Sequence, residues 1–354
     1  MYDIITFGSA AQDIHVKSKA FKILKDPSAS SGQAETIFST GEGICLALGS
    51  KIDVEDITYT TGGGGTNTAA TFAKQGFRTA FCGAIGIDLS GLEIVRELKH
   101  LRIDTRFVVK KKEKHTNSSI IISNTGEDRT ILVYRGASDL LNKEDIRWKK
   151  LRKARWFCIA PLAGEQLNIF EDVVNFAYEN KIKVAANPSK QQLSLPQEKL
   201  KNILQKVDIL FLNQEEASFL TKIPFEDEHE IFKKIDEICP GIAVMTKGGE
   251  GVVASDGKYI YSAKPNPNRK IVDTTGAGDS FAAGFLSDYI RYNGDTSASL
   301  SASIEKAIQL GLANSEANLS QVGAKTGLLE KNAKFERAKV LKEECGQNNL
   351  CITK

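Results

Sequence analysis

The stretch Ile-Val-Asp-Thr-Thr-Gly-Ala-Gly-Asp-Ser-Phe-Ala-Ala-Gly-Phe, residues 271–285, carries the clearest structural signal in the chain. The residues after Asp279 place their apolar members on one helical face, namely Phe281, Ala282, Phe285, Leu286, Tyr289 and Ile290. We therefore expect a helix that begins near Asp279. The small residues Gly276, Ala277 and Gly278 precede it, and a helix N-terminus carries about half a positive charge. Backbone amides in such a position predict an anion site.

Asp279 stands beside this predicted anion site. A carboxylate repels an anion, so its presence there is best explained if it takes a proton from a group that attacks the anion. This reasoning favours phosphoryl transfer, with Asp279 as the general base and Gly276, Ala277 and Gly278 as backbone donors to the developing charge. The plainer interpretation is an ordinary helix cap after a tight turn.

Two segments resemble the signatures of one protein family. Residues 273–281 are similar to the C-terminal signature of the PfkB, or ribokinase-like, carbohydrate kinases, and residues 63–70 resemble the second signature. The segments 72–76 and 83–88 continue the second match, and the resemblance covers about residues 3–327. It implies an α/β fold, a ribokinase-like three-layer α/β/α domain with a mostly parallel central sheet and a small β-sheet lid.

Strand-like and helix-like segments alternate along most of the chain, which independently favours a parallel sheet covered by helices on both faces. Ligands of such sheets bind at the carboxyl ends of the strands. We predict a kinase domain over residues 1–330, with lid segments inserted at about 14–60 and 105–136. Residues 331–354 are predicted to be a peripheral C-terminal extension, with a short helix at 335–344.

Composition limits the classes of function. The net charge of +3 is the balance of 47 basic and 44 acidic residues, and it argues against a nucleic-acid partner. Six cysteines without CxxC spacing, several in apolar runs, indicate buried thiols in a reducing compartment. We find neither a signal-peptide pattern nor an apolar run of about 18 residues. The prediction is a cytoplasmic protein without a membrane segment.

The resemblance assigns roles to residues on the substrate side. Asp13 follows the first strand and is expected to accept hydrogen bonds from sugar hydroxyls, with Gly63, Gly64, Gly65 and Asn67 around it. Many relatives carry lysine where this chain has Thr66, a difference that favours a neutral sugar over a sugar phosphate. Arg129 and Arg135, in the second lid segment, are the candidates for contact with an anionic substrate, although a solvated lid edge is the plainer interpretation.

The resemblance also implies a site for ATP and Mg²⁺. The nucleotide-binding candidates are Asn187, Thr246, Lys247, Gly248 and Asn314. Asn213 and Glu216 match an Asn-x-x-Glu motif expected near Mg²⁺, with contact through water, but the same residues also suit an ordinary helix start. Asp273 and Thr275, with the loop at Gly323–Ala324, resemble the monovalent-cation site of some members, which makes K⁺ a further candidate cofactor.

We therefore predict an ATP- and Mg²⁺-dependent kinase that phosphorylates a hydroxyl group of a sugar or sugar-like molecule. The alternatives are a nucleoside kinase of the adenosine type and, further away, a sugar-binding member without turnover. A dinucleotide-binding oxidoreductase fits poorly, because its glycine-rich turn should follow the first strand, whereas residues 62–65 come after an irregular segment. The resemblance also implies a homodimer formed through the lid.

Overall fold

The structure is a computed structural model that describes residues 1–25, 41–124, 129–293 and 300–344. The first half contains β1 (Tyr2–Phe7), β2 (Ala11–Lys17), β3 (Lys22–Lys25), β4 (Glu42–Cys45), β5 (Asp56–Gly62), α1 (Gly64–Lys74), β6 (Thr79–Gly86), α2 (Leu89–His100), β7 (Asp104–Lys111), β8 (Asn117–Ser123), β9 (Arg129–Tyr134), α3 (Trp148–Leu151), β10 (Ala154–Ile159) and α4 (Ile169–Glu179). The second half contains β11 (Lys183–Ala186), α5 (Lys190–Leu193), α6 (Gln197–Leu204), β12 (Ile209–Asn213), α7 (Gln214–Thr221), α8 (Glu228–Ile238), β13 (Ile242–Thr246), β14 (Val252–Ser255), β15 (Tyr259–Ala263), α9 (Ala277–Asn293), α10 (Leu300–Leu319) and β16 (Val340–Glu344). Short 3₁₀ turns lie at Ala137–Leu140, Lys143–Asp145, Gly164–Asn168 and Gly248–Glu250.

A large sheet forms the centre of the molecule. Its strand order is β16-β15-β14-β13-β12-β11-β10-β1-β6-β7, and the strands from β13 to β7 run parallel. The pairs that β14, β15 and β16 make are antiparallel. Every residue of β6 is buried, as expected of a strand covered on both faces. The predicted mostly parallel sheet is confirmed.

Helices cover both faces of this sheet. On one face α4, α6 and α8 contribute Phe170, Ile203 and Phe232 to a single apolar cluster. On the other face α9 and α10 pack against Trp156 and Phe211. Phe285 of α9 is fully buried and meets Phe211 edge to face, with ring centroids 5.5 Å apart. Burial of one such side chain contributes about 1.5–3 kcal/mol, so the two apolar clusters hold the three layers together.

A smaller sheet of four strands, the lid sheet, has the order β5-β2-β8-β9. Its register places Tyr59, Ile14, Ile120 and Leu132 in one row across the four strands. The neighbouring row contains Asp13, Ser119 and Val133. Because successive side chains alternate between faces, these two rows point to opposite sides of the sheet. The first row belongs to the outer face and the second to the inner face, which borders the cavity described below.

The lid boundaries differ from the predicted ones. The first lid strand, β2, begins at Ala11 and so before residue 14. Strand β7 falls inside the segment predicted at 105–136, but it pairs with β6 at the edge of the central sheet. The second lid segment therefore begins at about Asn117. A short β3–β4 hairpin is also present, whereas the β-like run at 36–38 lies outside the described residues.

The C-terminal extension contains a strand where a helix was expected. Residues Val340–Glu344 form β16 and pair with Ala263–Tyr259 of β15, so the helix prediction for 335–344 was wrong. Ala338 and Val340 pack against the apolar cluster of α9 and α10. The unpaired edge of β15 supplies backbone partners that an isolated polar helix of ten residues would lack.

Cys45, Cys82 and Cys158 are free thiols, and the last two are buried, as is Cys239. Burial raises the pKa of Cys82 and of Cys158 to about 12, so both thiols stay protonated. In the part of the chain that the structure describes, we find no helix with the length and apolar character needed to span a bilayer.

Candidate active site

A cavity of about 440 Å³ lies between the inner face of the lid sheet and the carboxyl-terminal edge of the central sheet. This volume suits a small polar metabolite. Asp13 and Asp279 both line it, as do Gly63, Asn67, Thr275 and Gly276. The structure therefore brings the two predicted signatures, far apart in sequence, to one pocket.

Asp279 is the third residue of α9, and its carboxylate faces this cavity. The Asn67 side chain donates from Nδ2 to Oδ2 of Asp279 over 2.8 Å. Burial raises the pKa of Asp279 above its usual value against the effect of that hydrogen bond, and the negative charge of Asp13 adds to the rise. A carboxylate with a raised pKa is a stronger base than an exposed one, which suits proton abstraction from an alcohol.

Asp13 lies on the inner face of the lid sheet and is 4% exposed. Burial raises the pKa of Asp13, whereas a hydrogen bond from the Ser119 side chain and the nearby charges of His15 and Lys325 oppose the rise. A Cβ on Gly62 would lie 2.0 Å from Oδ2 of Asp13. Glycine at position 62 is therefore what lets this carboxylate sit against the start of α1.

The glycine run before and within α1 serves two purposes. Gly63 adopts a φ of +95°, and a Cβ there would lie 2.6 Å from the carbonyl oxygen of Ser9. A Cβ on Gly64 would be 3.3 Å from Oδ1 of Asp279, so this glycine borders the Asp279 carboxylate. Gly65 is buried, and a Cβ there would meet Phe81 at 2.7 Å and the backbone of Gly8 at 2.9 Å. Position 65 requires glycine because α1 packs closely on β1 and β6 there.

Thr66 does not face the cavity. Its side chain is fully buried, and its hydroxyl donates to the carbonyl oxygen of Gly62 over 2.7 Å. A side chain in this position packs inside α1 and cannot reach a substrate. The residue at position 66 therefore does not distinguish a neutral sugar from a sugar phosphate.

The segment 273–278, here called the anion loop, leads into α9 and includes its first two residues. Gly276 has a φ of +79°, and a Cβ there would lie 2.6 Å from Cβ of Ala324. The amide of Ala277 donates to the carbonyl oxygen of Thr274 over 3.3 Å, so this amide is engaged in a turn. Gly278 is exposed, with open space where a Cβ would lie. Helix α9 begins at Ala277, two residues before the predicted start at Asp279, and Gly276 immediately before it lines the cavity.

Asp273 ties the anion loop to its surroundings. It accepts hydrogen bonds from the amide of Thr275 (2.9 Å), the hydroxyl of Thr275 (2.7 Å) and the amide of Gly323 (2.9 Å). Arg129 of β9 contributes an ion pair to the same carboxylate. Burial would raise the pKa of Asp273, but these donors and the arginine charge hold it below its usual value. Arg129 is thus committed to Asp273, and the interpretations of it as a substrate ligand or a solvated edge are corrected.

Asn213 and Glu216 form a reciprocal cap at the start of α7. Oδ1 of Asn213 accepts from the amide of Glu216 (2.8 Å), and Oε2 of Glu216 accepts from the amide of Asn213 (2.9 Å). Burial raises the pKa of Glu216. Across the described ranges there is no cluster of three or more histidine, cysteine or acidic residues that could enclose a metal ion. These residues fit Mg²⁺ only as partners of its water shell, with other ligands supplied by nucleotide phosphates.

The nucleotide-binding candidates separate into two groups. Asn187 and Thr246 lie at the carboxyl ends of β11 and β13, where their side chains donate to Phe211 and Leu212. Lys247 follows and pairs with Glu228 of α8 at 2.6 Å, and Gly248 begins a 3₁₀ turn with a φ of +53°. These four positions share the ligand-binding edge of the sheet.

Asn314 is placed differently. It is fully buried in α10, where Nδ2 donates to the carbonyl oxygen of Ser280 (2.7 Å) and Oδ1 accepts from the amide of Leu329 (2.8 Å). With both ends of the amide bonded inside the protein, its side chain offers nothing to a nucleotide in this structure. We assign it to the packing of α9 against α10.

Comparison with known proteins decides the family. A family model described as "pfkB family carbohydrate kinase" matches residues 37–332. The chain belongs to the pfkB family of carbohydrate kinases. It is 25% identical to a ribokinase of Haemophilus influenzae, over 75% of this chain and 83% of that protein. It is 26% identical to a nucleoside kinase of Methanothermobacter thermautotrophicus, over 65% and 72% of the two chains.

Solved structures agree on the fold. A ribokinase of Arabidopsis thaliana, solved as a complex with ribose and ATP, superposes with a TM-score of 0.72 at 20% identity, covering 93% of this pfkB kinase and 96% of that chain. An adenosine kinase of Sinorhizobium meliloti superposes with a TM-score of 0.70 at 21% identity, over 91% and 95%. The ribokinase-like three-layer architecture is therefore confirmed.

Several residues that line the cavity of this pfkB kinase escaped prediction. They are Asn117, Ser119, Tyr134, Asp139, Gln166 and Lys190. Burial raises the pKa of Asp139, which a nearby positive charge on Arg135 opposes. These residues come from the lid, from 3₁₀ turns and from a short helix, none of which has a distinctive local motif. The available signal was position: Asn117 begins β8, Tyr134 ends β9 and Lys190 begins α5.

Proposed function

We propose that this protein is an ATP-dependent kinase that transfers the γ-phosphoryl group to a hydroxyl group of a sugar or sugar-like molecule, with Asp279 as the general base. One observation carries the proposal: Asp13 and Asp279 face the same 440 Å³ cavity, with Asp279 at the N-terminus of α9. The carboxylate of Asp13 can accept hydrogen bonds from sugar hydroxyls, and the carboxylate of Asp279 can take the proton of the attacking hydroxyl. A binding protein without turnover would have no use for a base at this point.

The proposed reaction uses few protein groups. Asp279 takes the proton of the substrate hydroxyl while the hydroxyl oxygen forms a bond to the γ-phosphorus. The bond from that phosphorus to the oxygen that bridges to the β-phosphate breaks, and ADP is released. The N-terminus of α9 faces the negative charge that develops on the transferred group. Among the backbone donors there, we propose Gly276 and Gly278, with Ala277 once its turn contact to Thr274 opens.

We assign the nucleotide to the edge that carries Asn187, Thr246, Lys247 and Gly248. Mg²⁺, when bound, would neutralise phosphate charge, and Asn213 and Glu216 would orient its water ligands. Glu216 uses one carboxylate oxygen for the helix cap, which leaves the other for such a water. Lys247 first has to exchange its pairing with Glu228 for a phosphate oxygen.

A neutral substrate is favoured over a phosphorylated one. Three carboxylates, those of Asp13, Asp139 and Asp279, line the cavity, whereas Lys190 is paired with Glu215 at 2.9 Å. Arg135 is the remaining cation among the lining residues. A phosphate needs more positive charge to offset its desolvation. Carboxylates and amides at close quarters suit the neighbouring hydroxyls of a sugar.

The unpartnered oxygen of Asn67 supports a polar substrate as well. Within the described residues nothing donates to Oδ1 of Asn67, although the atom is buried. A buried acceptor without a donor is costly, and a substrate hydroxyl would satisfy it. A nucleoside is the second candidate, since its ribose offers the same hydroxyls and the chain also resembles a nucleoside kinase.

The test is a coupled ADP-release screen over pentoses, hexoses, sugar acids, sugar phosphates and nucleosides. We expect the best turnover on a neutral sugar or a nucleoside. Asp279→Asn should lower kcat on that substrate about 10²–10⁴-fold while it leaves nucleotide affinity nearly unchanged, because the shape is kept and the base is lost. Asp172→Asn on α4 is the matched control and should be fully active. An Asp279→Asn variant with more than about a tenth of the normal kcat would refute the assignment.

We further propose that two copies pair through the outer face of the lid sheet. Tyr59, Ile120 and Leu132 lie in one row there and are 61%, 38% and 52% exposed. Ile57, on the same face, is 47% exposed. These exposed apolar side chains on three of the four strands, with the half-buried Ile14 of the fourth strand in the same row, favour association with another apolar surface.

A further inference from the structure

The guanidinium group of Arg129 contacts Asp273 and Thr275, two residues of the predicted monovalent-cation site. Arg129 begins β9 in the lid sheet, and its Nη1 donates to Oδ1 of Asp273 and to the hydroxyl of Thr275, the latter over 2.9 Å. Only 23% of the Arg129 side chain and 6% of the Asp273 side chain are exposed. This low exposure makes the ion pair stronger than one on the surface.

The partners of Arg129 are the groups that shape the anion loop. The carboxylate of Asp273 holds the amide and hydroxyl of Thr275 on one oxygen and the amide of Gly323 on the other. Gly276 follows, and its backbone packs against Ala324 beside Gly323. A cation at Asp273 therefore stabilises the loop that leads to Asp279.

Of the nearby basic residues that the structure describes, Arg129 is the one that neutralises Asp273. His15 approaches Asp273 at 3.9 Å, but imidazole is charged only when protonated. The ammonium group of Lys325 is committed to Glu97 at 2.8 Å and to the hydroxyl of Thr61. Among the residues that the structure describes, Arg129 is the one permanent cation paired with Asp273. A K⁺ ion at the same carboxylate would have to displace it, so the residues present do not fit the predicted K⁺ site.

We propose that Arg129 is a built-in replacement for a monovalent cation, a positioning residue that neutralises Asp273, orders the anion loop and makes the enzyme independent of K⁺. The proposal rests on the proposed kinase function for its effect on turnover. Because Arg129 belongs to the lid sheet, the ion pair also links the lid to the anion loop. An arginine is tethered at a constant effective concentration, whereas a bound ion exchanges with solvent.

The first measurement uses the protein without substrates. Wild type and Arg129→Ala are melted in choline chloride and in KCl at equal ionic strength. Removal of the side chain leaves a buried carboxylate with room for an ion, so KCl should raise the Tm of Arg129→Ala saturably, as native-state binding requires. The wild-type Tm should be the same in both salts. Arg78→Ala, which removes the exposed partner of Asp3, is the matched control and should show no specific response to K⁺.

The second measurement is the rate with the best substrate of the screen. Wild type should differ less than about twofold between the salts, whereas Arg129→Ala should lose about tenfold or more in choline chloride and recover most of it with KCl. Arg129→Lys should retain more activity in choline chloride than Arg129→Ala. A wild-type requirement for K⁺ would overturn the proposal. An Arg129→Ala variant indifferent to K⁺ in both Tm and rate would also overturn it.

The two measurements separate this proposal from the kinase assignment. Failure of the substrate screen leaves the K⁺-dependent change in Tm measurable. Failure of the Tm response leaves the role of Asp279 untouched, because that role is tested by Asp279→Asn.

Discussion

The hydrogen bond between Asn67 and Asp279 joins the two halves of the proposed catalytic apparatus. Asp279 must be ionised to accept a proton, and burial works against its ionisation. Asn67 opposes the effect of burial on this pKa, because its amide donates a hydrogen bond to the charged form of Asp279. The amide is thus expected to set the lower pH limit at which the base works, in addition to any contact with substrate.

Replacement of Asn67 should therefore shift the pH dependence of the reaction. Asn67→Leu keeps the branched shape of the side chain but removes the donor, so the pKa of Asp279 rises further and the acid limb of kcat/KM moves to higher pH. A hydrogen bond to a charged group is worth about 1.5–3 kcal/mol, so activity on the acid side should fall about ten- to a hundredfold. Initial rates between pH 5 and 9 would show this.

Thr68→Val is the control for that pH profile, since the Thr68 hydroxyl bonds to the backbone of α1. A lost substrate contact alone would lower the whole Asn67→Leu profile without moving its limb. An acid limb that stays in place or moves to lower pH would contradict the role given to Asn67.

The two faces of the lid sheet have different proposed roles. Its inner face contributes Asp13 and Ser119 to the cavity, and its outer face presents the row of Tyr59, Ile120 and Leu132. Alternation in the strand makes this division automatic, because neighbouring residues point to opposite sides. A substitution on the outer face can therefore test association without touching the substrate side.

Leu132→Asp should convert the proposed dimer to a monomer. A buried charge in the middle of an apolar contact costs about 2 kcal/mol or more, which raises the dissociation constant about thirtyfold or more. Light scattering coupled to size-exclusion chromatography measures the mass. Phe225→Asp, an equally exposed apolar position between α7 and α8, is the control and should remain dimeric. A monomeric wild type would end the dimer proposal.

At the scale of the whole molecule, the central sheet extends from β7 to β16 and gives each helical layer a continuous surface. The last strand is added by the C-terminal segment. Gln309 of α10 donates to the carbonyl oxygen of Ala338 over 3.0 Å, which holds that segment as it approaches β15. The extension is therefore part of the fold, although it lies far from the cavity lining.

Truncation should show this in stability but hardly in activity. A variant that ends at Lys339 loses β16 and the packing of Val340, for which we expect about 1–2 kcal/mol and a Tm lower by about 2–5 °C. A variant that ends at Glu344 keeps β16 and is the control. Calorimetry of both compares the two melting temperatures. Equal Tm values would show that the strand contributes nothing measurable.

Local features of the chain were predictable because their causes are local. The helix after Asp279 follows from side-chain spacing, and the cap of Asn213 by Glu216 follows from residues three apart. The parallel sheet follows from alternating apolar strands and helices. The β16 strand was missed because its short polar segment acquires strand structure only from the edge of β15.

The arrangement of the site was decided by tertiary structure. Asn67 and Asp279 are 212 positions apart, and Arg129 and Asp273 are 144 apart. The family signatures place Asn67 and Asp279 at one site, but neither they nor any periodicity pairs Arg129 with Asp273, because that contact depends on how the lid sheet docks over the central sheet. The sequence by itself determined which chemical groups are present and which elements carry them. Only the folded chain decided that an arginine meets Asp273, because electrostatic partners are chosen by proximity in space.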